Sequence, residues 1–283
     1  MKYKKYVKNT LIYTLIIIIT FISVFPPIWM FLTSLKKPIE TVARPPVLIS
    51  IPPTLENWIE LFNPAAKWEG DRILAVMLPN SIISALTSTF LTICASFLAA
   101  YSLSRFRFKG RKPIAFLIIS TRMLPPIATV IPLYIMFGQL GLRDNIIGLI
   151  LVYTTLNIPL ATWMLKSFID EVPKAIEEAA LIDGASGLRI LVQVILPLCA
   201  PGLVATSIFS FLLAWNDFAI AFFLVGIKAK TLPLQSTAFV TEVGIYWGPM
   251  GAFGTLMAAP AIIFALLASK YLIKGLTLGA VKG

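Results

Sequence analysis

Histidine is absent from this 283-residue chain. That removes the commonest general base and the commonest zinc ligand. Only two cysteines occur, Cys94 and Cys199, each inside an apolar run where a free thiol acts as a small hydrophobe. No Cys-x-x-Cys pair supplies a metal or redox motif. A G-x-x-x-x-G-K-[S/T] loop is also missing, so the chain does not cradle a nucleotide by that route, and any energy it uses comes from a partner or an ion gradient. Charge is scarce: 13% of residues are charged, against about 25% in an ordinary soluble domain.

What is abundant is long apolar sequence. Hydrophobic residues make up 58% of the chain, and the mean hydropathy is +0.87. A soluble core would have to bury several apolar runs of about 20 residues, whereas a bilayer accepts each as one helix. The expected fold is an all-α membrane protein with six transmembrane helices at 11–35, 80–104, 113–138, 145–168, 198–225 and 251–273. They would form a single domain over residues 1–283. The start, MKYKKYVKN, resembles a secretory leader. The apolar run behind it is longer than the ~7–15 residues of a leader, and no A-x-A site follows, so a retained first span is expected.

Loop charge orients these spans. With the N-terminus inside, 15 of the 24 Lys and Arg residues fall on the cytoplasmic side, five of them in SRFRFKGRKP, a loop with no acid. Eight fall outside, and Arg122 lies within a span. This is the positive-inside bias, with both termini cytoplasmic. The net charge of +11 is accounted for by topology and requires no nucleic-acid partner. Of two longer outer segments, 36–79 carries Pro45, Pro46, Pro52 and Pro53 and the helix-like LENWIELF, while the polar and aromatic 226–250 suits contact with another protein or the lining of an outer vestibule; plain loops are the alternative for both.

Between the fourth and fifth runs the chain reads EEAALIDGASGLRILVQVILP, at 177–197. Pro173 suits the start of a helix, and Lys174 and Glu178 are i,i+4 neighbours. Ile176, Ala179, Ala180 and Asp183 share one side. Gly184 is suited to stop the helix in a left-handed conformation. Ser186 is placed to cap a second amphipathic segment whose apolar side is Leu188, Leu191, Val192 and Ile195. The expectation is a cytoplasmic helix-turn-helix over about 170–197. Small alanines admit a close partner, and the acids Glu177, Glu178 and Asp183 argue against a resting place on anionic lipid.

Glu178-Ala179-Ala180, three residues, Gly184, nine residues, Val194, then Leu196-Pro197 resembles the E-A-A-x3-G-x9-I-x-L-P loop of permease subunits from binding-protein-dependent ABC importers. Val194 replaces the favoured Ile. The six runs, WNDF at 215–218 and the tail GLTLGAVKG at 275–283 resemble the MalG-like carbohydrate-importer branch. The resemblance implies a coupling loop that docks on an ABC ATPase dimer through Glu178, Ala179, Ala180, Gly184 and Pro197. It implies a second ATPase contact through Gly275, Leu276, Thr277, Gly279 and Lys282. Further implied partners are a second related permease subunit, an extracytoplasmic solute-binding protein, the lipid bilayer and a small sugar or polyol. ATP and Mg would sit on the partner, so this chain binds no cofactor and is not itself an enzyme. The location implied is the plasma (inner) membrane of a bacterium or archaeon.

Within the expected spans, Arg122 lies near Pro125, Pro126 and Pro132, and Asn157-Ile158-Pro159 interrupts the fourth run. Prolines free carbonyls that only neighbours or water can satisfy in lipid. Asp217 is the candidate for a polar interior contact. Asn80, Asn157 and Asn216 suit either sugar hydroxyls or bonds between helices. Ala95 with Ala99, and Ser96 with Ala100, are small-x-x-x-small steps suited to a close helix crossing. The rival reading is an ion-coupled secondary transporter that uses Asp217, and a non-transporting membrane scaffold is a third.

Overall fold

The computed structural model describes residues 2–63 and 69–279, which are mostly helical. The main helices are α1 (Lys2–Ser34), α2 (Glu56–Phe62), α3 (Leu78–Arg105), α4 (Arg111–Ser120), α5 (Pro126–Gln139) and α6 (Ile146–Glu171). They are followed by α7 (Lys174–Ile182), α8 (Gly187–Ile190), α9 (Ala200–Trp215), α10 (Ala219–Leu224) and α11 (Trp247–Gly279). A two-residue hairpin, β1 (Val240–Thr241) and β2 (Gly244–Ile245), pairs Val240 with Ile245.

Among the described residues, four stretches are long and apolar enough to cross a bilayer: Asn9–Ser34, Ile73–Arg105, Ile146–Glu171 and Trp247–Phe264. The other two expected spans are not straight helices. The third run bends by 96° between Arg111–Met123 and Ile127–Gln139. Pro125 and Pro126 stand at that break, where a residue preceding proline is pushed out of helical geometry. The fifth run also departs from a single helix. At its start it meets Gly187–Leu198, the end of the preceding loop, at 77°, and within it α9 stops at Asn216 before the short α10. The count is therefore four spans, or up to six if each bent pair is one.

The chain divides into two compact units. The first comprises residues 1–74 and 235–260. Its α1 presents exposed side chains such as Ile17, Phe21 and Ile22, the pattern of a lipid-facing helix. Buried Asn57 ties α2 to the end of α1 by donating to the Ser34 and Lys36 carbonyls at 2.9 and 2.7 Å. Trp58 Nε1 adds a bond to Ser34 Oγ at 3.0 Å. Glycines spaced by three on α11 make room here. A Cβ on Gly248 would strike Asn57, and one on Gly251 or Gly254 would strike Met30 of α1.

The second unit comprises residues 75–234 and 261–283. Its centre is the pairing of α3 with α6. Ser84, Ser88, Thr92, Ser96, Ala100 and Ser104 recur every four residues on α3, and all are buried. This small, polar stripe lets the backbones approach and lets hydroxyls reach across. Thr92 Oγ1 donates to the Thr154 carbonyl at 3.4 Å and Ser96 Oγ to the Ile158 carbonyl at 3.3 Å. Of the four small residues flagged from spacing, Ser96 and Ala100 lie on the buried face, while Ala95 is exposed. Gly202 admits α9, since a Cβ there would collide with the Phe168 ring. Both cysteines are free thiols, Cys94 exposed and Cys199 buried.

Candidate functional site

The segment after α6 forms two short helices joined by a tight turn. Pro173 precedes α7 in an extended conformation, with ψ 131°. At the other end Gly184 takes φ +80°. Its N–H bonds the Leu181 carbonyl at 3.0 Å, and the Ala185 N–H bonds the Ala180 carbonyl at 3.0 Å. These two bonds define a Schellman stop, which requires a left-handed residue and therefore favours glycine. Ser186 Oγ then accepts from the Arg189 N–H at 3.4 Å and caps α8. A π-helical segment at Leu191–Ile195 and a turn at Leu196–Leu198 follow, and Pro197 is exposed on that turn.

One face of this loop is built into the core. Ala180, Ala185 and Val194 pack against a buried cluster of Phe97, Leu165, Ile169, Ile190, Ile195 and Cys199. Glu177 is buried as well, unlike Glu178 and Asp183, the two acids grouped with it in the sequence, which are exposed. Its carboxylate pairs with the Arg105 guanidinium, and both side chains are nearly solvent-free, at 11% and 8% exposure. Tyr101 donates to the same carboxylate at 3.1 Å. Arg105 also donates to the Val172 carbonyl at 2.8 Å and to Ser104 Oγ at 3.2 Å. Ser104 donates to Asp170, which pairs with Lys166. Arg105 sits in the last turn of α3 and Glu177 in the first turn of α7, so each charge also suits its own helix dipole. Removing one partner would leave the other as an uncompensated charge, at a cost of about 3–5 kcal/mol.

The other face is open. Glu178, Ala179 and Gly184 are exposed and Ala180 is half-buried, so the side expected from spacing is split between core and surface. Around them stand Ile182, Leu188 and Leu181, at 87%, 72% and 57% exposure. A Cβ on Gly184 would meet nothing within 4 Å. Three large aliphatic side chains left uncovered on a rigidly anchored turn make an apolar knob of the kind that marks a binding surface.

The polar residues singled out in the apolar runs each serve a different partner, and among them Asn157 is buried while Asn216 and Arg122 are exposed. Asn80 donates to the Lys228 and Lys230 carbonyls at 2.9 and 3.1 Å. Asn157, buried, donates to the Ser210 carbonyl at 3.2 Å and joins α6 to α9. Asn216 donates to the Leu212 carbonyl of its own helix at 2.9 Å. Asp217 accepts from the Ala221 N–H at 3.0 Å, at the start of α10, and from the Tyr153 hydroxyl at 3.2 Å. Arg122 donates to the Leu156 carbonyl at 3.3 Å, in the turn before Pro159. Gly275, Leu276, Thr277 and Gly279 fall on the last turns of α11, while Lys282 lies outside the described residues. No group of three or more Cys, Asp or Glu side chains among the described residues is arranged to hold a metal ion.

One further polar centre gave no local signal in the sequence. Asp144, with φ +51°, accepts the backbone N–H groups of Gly226, Ile227, Lys228 and Ala229 at 2.8–3.1 Å. Burial pushes its carboxyl pKa up, but these donors outweigh it and hold the group below its ordinary value.

Residues 94–277 match the family of binding-protein-dependent transport system inner membrane components. The trehalose/maltose transport system permease protein MalG of Thermococcus litoralis is 36% identical over 269 residues, 94% of each chain. The sulfoquinovosyl glycerol transport system permease protein SmoH of Agrobacterium fabrum is 36% identical over 262 residues, 92% of this chain and 90% of its own length. Among solved structures, a bacterial ABC transporter that imports the acidic polysaccharide alginate includes a chain that superposes with TM-score 0.77. It is 22% identical, with 95% of this chain and 98% of that one covered, and so speaks to the fold alone. Family, relatives and helical architecture agree: the chain belongs to the inner-membrane permease components of binding-protein-dependent ABC importers, multi-pass subunits whose ATP hydrolysis resides on a separate ATPase.

Proposed function

We propose that this chain forms one half of an alternating-access pore for a sugar or glycoside, paired with a second related permease subunit. The proposal places both termini in the cytoplasm and the 170–197 loop beneath the membrane, as the Lys and Arg distribution favours. Carbohydrate cargo is supported by the trehalose/maltose and sulfoquinovosyl glycerol systems of the named relatives. Cargo arrives on an extracytoplasmic binding protein, and the partner ATPase supplies the work.

One observation carries the docking part of this reading: Leu181, Ile182 and Leu188 are uncovered on a turn whose opposite face is tied to α3 by Glu177. Docking on the ATPase would cover these side chains, with Glu178, Ala179 and Gly184 at the same contact and Pro197 ending the loop. ATP binding then shifts the pore between inward- and outward-facing states through the partner's different affinity for each. The tail from Gly275 to Lys282 is the second proposed contact with the ATPase. Ion coupling through Asp217 is disfavoured, because that carboxylate is engaged with Tyr153 and with the N–H groups that open α10.

Co-purification tests the proposal. The chain expressed with its partners should retain an ATPase, and Glu178→Arg or Ile182→Asp should release it while leaving the permease pair in the membrane. Retention unchanged by both substitutions would defeat the docking assignment.

A further inference from the structure

Docking alone does not say how a stroke at α7 reaches the pore. Beside the apolar packing of Ala180 on the Phe97–Ile169 cluster, two routes lead from the start of this helix. One is the chain itself, through Val172 and Pro173 into α6. The other is the buried pair Glu177–Arg105, which joins the first turn of α7 directly to the last turn of α3, 72 positions earlier in sequence. The chain route includes a non-helical joint: Val172 has ψ 121° and Pro173 has ψ 131°, so α6 and α7 are not one rigid rod. Across that joint Arg105 reaches both sides, with Nε on Glu177 and Nη2 on the Val172 carbonyl. Through Ser104 it also meets Asp170 near the end of α6. A single guanidinium therefore pins α3, the end of α6 and the start of α7 at one point.

From this geometry we infer that Arg105 and Glu177 are positioning residues for coupling, a strut that carries displacement of the docking turn into α3. The inference rests on the docking reading above and adds its internal transmission route. Arginine suits the role because its planar donors bind several acceptors in fixed directions, which lysine does not do. Tyr101 holds the second Glu177 oxygen, so the carboxylate is restrained from two sides of the α3 end. The α3 hydroxyl stripe then spreads a movement of α3 to α6 through Thr92 and Ser96. Glu178, one residue further on and exposed, belongs to the partner contact and not to this route.

The test uses the assembled transporter in nanodiscs, with amide exchange followed with and without MgATP plus orthovanadate. In the wild type, residues 101–109 should change protection together with α7. Glu177→Met combined with Arg105→Met removes both charges, which spares the fold the unpaired buried charge that either single change would leave. The double variant should keep the ATPase bound and keep the α7 response, while the response at 101–109 falls by about five-fold or more, the lower end of ordinary coupling between sites. Glu177→Asp, which retains the charge, should recover most of it. A purely structural pair would instead lower ATPase retention and both responses together. A full response at 101–109 in the double variant overturns the strut, as does a wild type in which 101–109 never responds although ATPase is bound. A wild type that binds no ATPase sinks the docking reading and the strut with it.

Discussion

Removing the Asp144 carboxylate should loosen the 226–230 segment. The two carboxylate oxygens accept N–H bonds from four consecutive residues, with Lys228 shared between them. A hydrogen bond to a charged group contributes about 1.5–3 kcal/mol, but water can replace the exposed donors after truncation, so the four are not additive. A net loss of about 2–3 kcal/mol for Asp144→Ala is the reasonable figure, or about 30- to 150-fold in the open population. Asp144→Asn should cost nearly as much, because its amide group would turn donors toward donors. Lys228 and Lys230 are tryptic sites inside the clasped segment, and cleavage there tracks the open population when opening is fast. Trypsin should therefore cut the assembled transporter about 30-fold faster or more in Asp144→Ala, with Asn80 still holding the Lys228 and Lys230 carbonyls. The pH dependence has a fixed sign. The folded pKa is lowered, so the contribution is complete above the ordinary 3.8 and is lost as pH falls below it through the lowered value. Equal cleavage rates for wild type and Asp144→Ala would refute the clasp.

Three other substitutions separate the parts of the account. Gly184→Ala meets no neighbour but must hold φ +80°, so the turn should weaken by about 1 kcal/mol and the Ala185 amide should exchange about five-fold faster. An unchanged rate would show that the left-handed stop is not needed. Gly202→Ala forces a methyl into the Phe168 ring and should cost about 1–3 kcal/mol in thermal stability, recovered in part by Phe168→Leu; an undiminished midpoint would argue against so close an α6–α9 contact. Asp217→Asn keeps an acceptor for the Ala221 N–H and should leave ATP-driven sugar uptake intact, whereas abolished uptake would restore the ion-coupled reading.

Local chemistry made the turn readable before the fold was known. Gly184 as a stop and Ser186 as a cap act within a few residues of themselves, and both appear where spacing puts them. Apolar length was equally readable, because a bilayer sets it. Breaks were not, since hydropathy counts apolar residues and is blind to direction: the 96° bend falls inside the run 113–138, and the 77° bend falls at the start of the run 198–225. Contacts across long sequence separations were invisible too. Glu177 looks like its exposed neighbour Glu178 until α3 brings Arg105 beside it, and Asp144 looks like a turn residue until the 226–229 amides close on it. On the side shared by Ile176, Ala179, Ala180 and Asp183, three residues are exposed and Ala180 is half-buried, for a related reason. Helical spacing groups residues on a face, but the Ala180 contact with the Phe97–Ile169 cluster decides which part of that face the core takes.

The most direct test places a benzophenone label at Ile182→Cys, in a Cys94→Ala background, and illuminates membranes holding the whole transporter. Ile182 is 87% exposed at the tip of the turn, so the label should join this chain covalently to the ATPase, with the yield changed by MgATP. Adducts to lipid alone, with the ATPase present and never captured, would contradict the claim that this turn is where the motor meets the pore.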